Sequence, residues 1–440
     1  MAEQAHNPNL TANEKRNHMT SFDPAGDTAM FETTLTAVVF WGCTMSALTA
    51  QPVLRFEMQE IDRSLKVGYA VLLADLDGDG RPDILVVDTQ RVVWFQNPTW
   101  KMRPIIVGGT VPDNVCVDAY DIDGDGHLDL ALGAGWRPFD TRRGGTLQWL
   151  RRGPSLEQPW SLYPIDEEPS VHRLRFADLD GDGRKELVVV PLMGRGATAL
   201  HNWMDGAPVR ILAYRIPADP ARQRWPVEVL DQSLHVVHNF QPIQAFSGQG
   251  MGLLAASYEG VSYIHRSGNR WQRRLLHEGN QTDPHGRRGA SEIKLGSLGQ
   301  ERFIATIEPW HGHEVVVYTP ATQPSAWRRQ VIDRDLRWGH AVCCADLDAD
   351  GRDEIVVGVR DPLDDRFRHG VRIYRAVDAH ASRWERLILD NGGIATEDLS
   401  VADLDADGRP DIVAVGRATG NVRIYWNKTP TRRADRQPVN

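Results

Sequence analysis

Five short stretches of this sequence concentrate carboxylates at a spacing that suits a hard cation. They read ADLDGDGRPDILVV from Ala74, YDIDGDGHLDLALG from Tyr120, ADLDGDGRKELVVV from Ala177, ADLDADGRDEIVVG from Ala345 and ADLDADGRPDIVAV from Ala402. In each, side-chain oxygens fall at positions one, three, five and nine, with the backbone carbonyl of position seven available, a set that Ca²⁺ takes at about 2.3–2.6 Å. The first loop offers Asp75, Asp77, Asp79, Arg81 through its carbonyl, and Asp83. The second offers Asp121, Asp123, Asp125, His127 by carbonyl and Asp129; the third Asp178, Asp180, Asp182, Arg184 by carbonyl and Glu186. Asp346, Asp348, Asp350, Arg352 by carbonyl and Glu354 make the fourth, and Asp403, Asp405, Asp407, Arg409 by carbonyl and Asp411 the fifth. Carboxylates this close repel one another unless a counter-ion sits among them. Mg²⁺ fits less well, because it keeps its waters and takes fewer protein ligands. One Asp-Gly cluster could be an ordinary hairpin turn, but five copies argue for about five structural calcium ions. Position twelve is apolar, Val86 in the first copy, and strand-like runs flank the loop, so this is not an EF-hand. A site filled by its own ligands leaves no place for a substrate.

The elements that carry these loops follow from their flanks. Each loop joins two apolar runs, a third such as VVWFQN or VRIYRA follows, and a fourth opens on an aromatic residue, as in WKMRPIIV from Trp100 or WERLILDN from Trp384. Such a unit reads as a four-stranded antiparallel sheet. The interval between Asp178 and Asp346 leaves room for two more units, QPIQAFSGQGMGLLAASYEGVSYI from Gln241 and SEIKLGSLGQERFIATIEPWHGHEVVVY from Ser291, which keep the strands and lack the acidic loop. Seven units result, and the seventh lacks its fourth strand, whereas RFEMQEIDRS from Arg55 supplies that pattern ahead of the first. The spacing therefore predicts an all-β, seven-bladed β-propeller over 51–428 whose last blade is closed by the N-terminal strand, which hides the sheet edges.

These repeats resemble the FG-GAP/VCBS family, whose blades carry the same calcium loops. A narrower resemblance runs through LHVVHNFQPI, AASYEGV, GASEIKLG, IEPWHGHEVVVYTP and RWGHAVCCADLDADGRDEIVVG. These segments are similar to propeller enzymes that eliminate across sugars, the propeller domain of aldos-2-ulose dehydratase and the rhamnose-glucuronate lyases. The resemblance implies a carbon-oxygen lyase acting on carbohydrate.

In such blades the innermost strand runs down a central channel into the acidic hairpin, so the residues that enter it lie at the opposite mouth. Counting back six from the first aspartate gives Tyr69, His172, His340 and Glu397; Asn114 stands seven back from Asp121. Loops between second and third strands add Glu259, Glu308, His311 and His313, and His235 and His238 precede the fourth inner strand. Arg142, Arg143, Arg287 and Arg288 lie in long loops nearby. A single histidine at a blade junction is as readily a satisfied packing residue, but several aimed at one axis point to a joint role. The catalytic candidates are His172, His238, His311, His340, Tyr69 and Glu397; the substrate-binding candidates are Asn114, Arg142, Glu259, Arg288, Glu308 and His313. For β-elimination from a uronate or keto sugar, neutral imidazole suits the base. His172 or His340 is the expected base and Tyr69 or His311 the acid. An arginine, or a further divalent metal on the histidine ring, would neutralise the enolate. The alternative is a non-catalytic, lectin- or adhesin-like propeller binding carbohydrate or protein. A repeat-built lectin would present one pocket many times, whereas the mouth residues here differ from blade to blade.

Composition narrows the rest. At 41% hydrophobic and 25% charged residues over 440, the chain can bury a large core. A net charge of −9 disfavours nucleic acid as a partner. Cys43, Cys116, Cys343 and Cys344 do not make a disulfide framework. Residues 1–50 read as a leader in which LTAVVFWGCTMSALTA, from Leu35 to Ala50, has the form of a secretory apolar region, too short to span a membrane. That reading starts translation at Met19 or Met30 and places a monomeric protein outside the cell or in the periplasm; Glu32 stands where a basic residue is expected. Residues 429–440 read as a flexible tail.

Overall fold

The computed structural model describes residues 53–321, 326–361 and 368–430; the leader and its Cys43 lie outside them. The described residues form 28 strands in seven four-stranded antiparallel sheets, with one short 3₁₀ turn at Ala199–His201. None of their helices is long and apolar enough to cross a membrane. The first strands of the blades are Ala70–Ala74, Cys116–Tyr120, Val171–Ala177, Asn239–Gln244, Glu292–Leu298, Gly339–Ala345 and Thr396–Ala402. Each touches the first strands of both neighbouring blades, so together they wall a closed central channel. The seventh blade is completed by Phe56–Asp62, which pairs antiparallel with Val422–Asn427 from Phe56↔Asn427 to Asp62↔Val422. This is the closure the aromatic spacing before the first unit predicts.

Burial follows strand position. The second strands, such as Asp83–Asp88, Glu186–Pro191 and Asp411–Gly416, are buried at every residue, because both faces of each sheet pack on a neighbouring blade. The outermost strands, such as Lys101–Val107, are mostly exposed or half-buried. Third strands supply one large aromatic each to the inter-blade layer: Trp94, Trp149, Tyr214, Tyr263, Tyr318, Tyr374 and Tyr425. Three of the tyrosines lock blades together through their hydroxyls. Tyr214 donates to Asp166 (3.1 Å), Tyr374 to Asp333 (2.8 Å) and Tyr425 to Asp390 (2.8 Å), in each case on the outer strand of the preceding blade.

The acidic loops lie at the channel end opposite the strand entries, and their ninth residue ties each hairpin together. Asp411 accepts the backbone N–H of Leu404 (3.0 Å) and of Asn427 (2.8 Å), and Asp83 does the same for Leu76 and Asn97. Asn97 and Asn427 then reach the neighbouring blade, donating to the Leu404 and Leu347 carbonyls at 2.8 Å each. Gly80, at φ +88°, occupies the left-handed region that the turn requires. Asp411→Ala would orphan two buried N–H groups at about 1–3 kcal/mol each. We therefore expect a loss of about 2–5 kcal/mol, measured by urea unfolding in chelator so that no cation contributes. A loss under 1 kcal/mol would show that the knot is dispensable.

Candidate central site

The strand entries bring four histidines from four blades into one buried cluster. His172 lies second in the third blade's inner strand, His238 immediately before the fourth's and His340 second in the sixth's. His311 sits in the loop between the second and third strands of the fifth blade, at φ +47°. That loop doubles back on Gly312, where a Cβ would meet the Glu308 carbonyl oxygen at 2.0 Å. His238 and His311 approach Nε2 to Nε2 at 2.8 Å; ring centroids are 4.6 Å apart for His172–His238 and 4.9 Å for His311–His340. His238, His311 and His340 each offer a ring nitrogen within 4.8 Å of the others.

Backbone and carboxylate partners orient the rings. Nδ1 of His340 donates to the Glu397 carbonyl (2.6 Å) and Nδ1 of His172 to the His238 carbonyl (3.0 Å), which leaves both Nε2 lone pairs free of the proton. His238 directs Nδ1 at Glu292, 2.7 Å away, on the fifth inner strand. With His238 0%, His340 3% and His172 6% exposed, water is largely excluded. Burial, reinforced by the positive charges of Arg173 and Arg360, holds His172, His311 and His340 well below the usual imidazole range, so they are neutral near pH 7. Burial pushes the Glu292 carboxyl up, but its contact with His238 and the charge of Arg173 outweigh that and keep it ionised. Beneath the cluster the channel widens to about 150 Å³, lined by Arg173, Arg175, Glu292, Lys294 and Asp398.

Tyr69 and Glu397 join this centre. Glu397 lies 3.9 Å from His340 Nε2 and pairs with Arg417 (2.7 Å) and Arg360 (3.4 Å); Arg417 also lies over the Tyr69 ring. Burial raises the Tyr69 phenol to about 12, and its hydroxyl donates to Asp113 (3.4 Å). Trp136 packs on His172 and Trp310 on His311, and the buried Trp310 Nε1 and His313 Nδ1 have no hydrogen-bond partner among the described residues. His313 stands one step outward, beside Trp338, whose ring carries Arg287 at 4.0 Å.

Other candidates are not brought into the cluster. The Asn114 side chain bridges Thr110 and the Asp88 carbonyl, and Glu259 pairs with His235 (2.9 Å). Glu308 is fully buried within its own blade against Arg329 and Tyr318. Arg142 and Arg288 are exposed loop residues, and Arg143 pairs with Asp140. Four residues of the centre escaped sequence reasoning: Glu292, Arg173, Arg360 and Arg417. Arg173 and Arg360 were findable, being the neighbour of His172 and the residue just past the sixth blade's second strand.

At the far end, the acidic loops bring the carboxylates of positions one, three and nine together. Asp75, Asp77 and Asp83 come together, as do Asp121, Asp123 and Asp129, Asp178, Asp180 and Glu186, and Asp346, Asp348 and Glu354. Burial first, then like-charged neighbours, raises Asp83, Asp129 and Asp411 to about 6 and Glu354 to about 9. Oxygens of Asp123 and Asp348 are buried with no hydrogen-bond partner among the described residues.

The fold is a seven-bladed propeller, and residues 75–132 and 346–414 match the family described as FG-GAP-like repeat. Residues 144–321, which carry His172, His238 and His311, match the family described as aldos-2-ulose dehydratase, beta-propeller domain. A curated relative, the aldos-2-ulose dehydratase of Phanerodontia chrysosporium, is 30% identical over 260 residues, which is 53% of this chain and 28% of that protein's length. Solved structures share the fold alone. A crystal structure of BBS1N in complex with ARL6DN gives a TM-score of 0.51 at 12% identity, covering 86% of this chain and 97% of that one. The extracellular domain of the one component system BT4673 from B. thetaiotaomicron gives 0.50 at 12% identity, covering 84% and 39%.

Proposed function

We propose that the central mouth binds a sugar bearing a carboxylate or ketone and eliminates across it, as a carbon-oxygen lyase working outside the cell or in the periplasm. The observation that carries this reading is the convergence of four oriented imidazoles from four blades, three of them held neutral by burial, flanked by Glu397 and two arginines. His340 presents a lone pair in a dry site and takes the proton beside the carbonyl. The imidazolium so formed on His340, or the Tyr69 phenol, which burial keeps protonated, gives a proton to the departing oxygen, and Arg360 and Arg417 neutralise charge as it develops. Incubation with uronate-containing oligosaccharides and with ketoaldoses, followed by new ultraviolet absorbance, tests it. Retained saccharide binding without an unsaturated product would identify a lectin-like module instead.

The trio His238, His311 and His340 also fits a divalent cation, with Glu292 behind His238 as the carboxylate that commonly backs a metal-bound imidazole. Bound there, the cation would supply the positive charge that stabilises an enolate, and His172 is the imidazole left to accept the proton. Glu292→Gln keeps the shape and removes the charge; Zn²⁺ affinity is expected to fall 10–100-fold. Equal affinity in a competition titration would refute a metal role for the trio.

At the opposite face, the acidic loops bind structural calcium, a reading supported by their clustered carboxylate oxygens, one of which, on Asp123, is buried with no hydrogen-bond partner among the described residues.

A further inference from the structure

The five acidic loops carry the same kinds of oxygen but different neighbours. In each, the residue at position ten pairs with a residue of the third strand: Ile84↔Phe95, Leu130↔Leu150, Leu187↔Tyr214, Ile355↔Tyr374 and Ile412↔Tyr425. The residue one step beyond that partner stands beside the loop. Three times it is an arginine, and each meets the position-three carboxylate of its own loop: Arg151 with Asp123 (2.5 Å), Arg215 with Asp180 (2.6 Å) and Arg375 with Asp348 (3.6 Å). In the seventh blade that step is Trp426, and Lys428 takes over at 3.2 Å from Asp405, while Arg409 pairs with Asp407 of the same loop. The first blade differs. Gln96 stands at this step and donates Nε2 to Asp77 (2.7 Å), a neutral donor where the others bring a cation. Arg103 lies farther out, donating to the other end of the Gln96 amide (3.0 Å) with its own charge met by Glu157 (2.6 Å). The position-seven arginines of the first, third and sixth blades, Arg81, Arg184 and Arg352, form no ion pair among the described residues and leave this order unchanged.

The affinity of an oxygen site for calcium follows the charge of its ligands. Each loop offers four carboxylates. In four loops a resident cation cancels part of that charge and holds the position-three carboxylate in place of the ion; the first loop keeps its full charge. Building on the calcium reading of these loops, we propose that they form two classes of site. Residues 75–83 of the first blade make one tight site, and the other four are weaker sites whose own cations stand in for calcium when it is scarce. The seventh blade's loop, with both Lys428 and Arg409 against it, is the weakest. The Arg151 and Arg215 side chains are 44% and 59% exposed, so solvent screens their effect and the classes differ moderately. The tight site stands where the ring closes. Asp83 accepts the Asn97 N–H (2.8 Å), and the Asn97 side chain donates to the Leu404 carbonyl of the seventh blade. As calcium falls, the weaker loops persist as hairpins tied by a guanidinium or ammonium, and the junction of first and last blades keeps its ion.

Calorimetric titration of the calcium-free full chain with Ca²⁺ tests this. One ion per chain is expected to bind about 10-fold more tightly than the rest, the scale of one unit charge a few ångströms away near a protein surface. The gap should narrow as salt rises. Gln96→Arg gives the first loop the cation of the others and should abolish the tight site. Arg215→Gln gives the third blade the first blade's neutral donor and should yield two tight ions per chain. In chelator the same Arg215→Gln chain should melt below the native one, because its loop has lost the resident cation, and saturating Ca²⁺ should remove that difference. A single class of equal sites in the native chain, or a tight-ion count unchanged in both variants, would overturn the proposal. The two readings fail separately. No uptake of Ca²⁺ sinks the calcium reading and this inference with it, whereas five equal sites sink the inequality alone.

Discussion

His340→Asn is expected to lower the rate of elimination by about 10²–10⁴-fold, the contribution of a positioned base, while the propeller stays folded. The substitution is chosen because the asparagine amide can still donate to the Glu397 carbonyl that holds Nδ1 at 2.6 Å in the native chain, so the backbone there keeps its partner. His340→Ala would lose that partner as well and leave a void, confusing chemistry with stability at a residue only 3% exposed. Turnover should be followed with substrate both below and above its KM. Loss of a proton acceptor lowers kcat and leaves KM nearly unchanged. Turnover within twofold of the native rate would remove His340 from the reaction.

Chelating calcium should produce the largest change in stability. Each site filled at a hundred times its Kd adds about 2.7 kcal/mol. Five such loops would dominate a net stability usually of about 5–15 kcal/mol. Melting in chelator should therefore fall by tens of degrees, return with Ca²⁺ and return only in part with Mg²⁺, whose octahedral preference these loops meet less well. Asp77→Asn, which removes one charge from the first loop, should cost a fraction of that shift. A melting temperature insensitive to chelator would mean that the loops are hairpin turns and nothing more.

The repeat made the architecture legible, because each acidic loop fixes both a hairpin and the direction of the strand entering it. Counting back from Asp178 and Asp346 therefore found His172 and His340 without coordinates. The fourth and fifth blades lack that ruler. His238 and His311 could still be suspected from their places before an inner strand and in a loop, but Glu292 could not. Its role depends on standing beside His238, across a blade junction. Glu308 shows the opposite limit: alternation along its strand turns the side chain toward Arg329 and away from the mouth.

The sharing of one sheet by both ends of the propeller also has a consequence for synthesis. Glu60 and Asn421, partners in the closing blade, stand 361 residues apart in sequence. At about 5–20 residues per second, the first strand emerges from the ribosome tens of seconds before its partner exists. Meanwhile Phe56–Asp62 is an unpaired strand on a growing, open ring. Its sequence, FEMQEID, answers that interval with three acidic residues, charges that discourage pairing with another nascent chain.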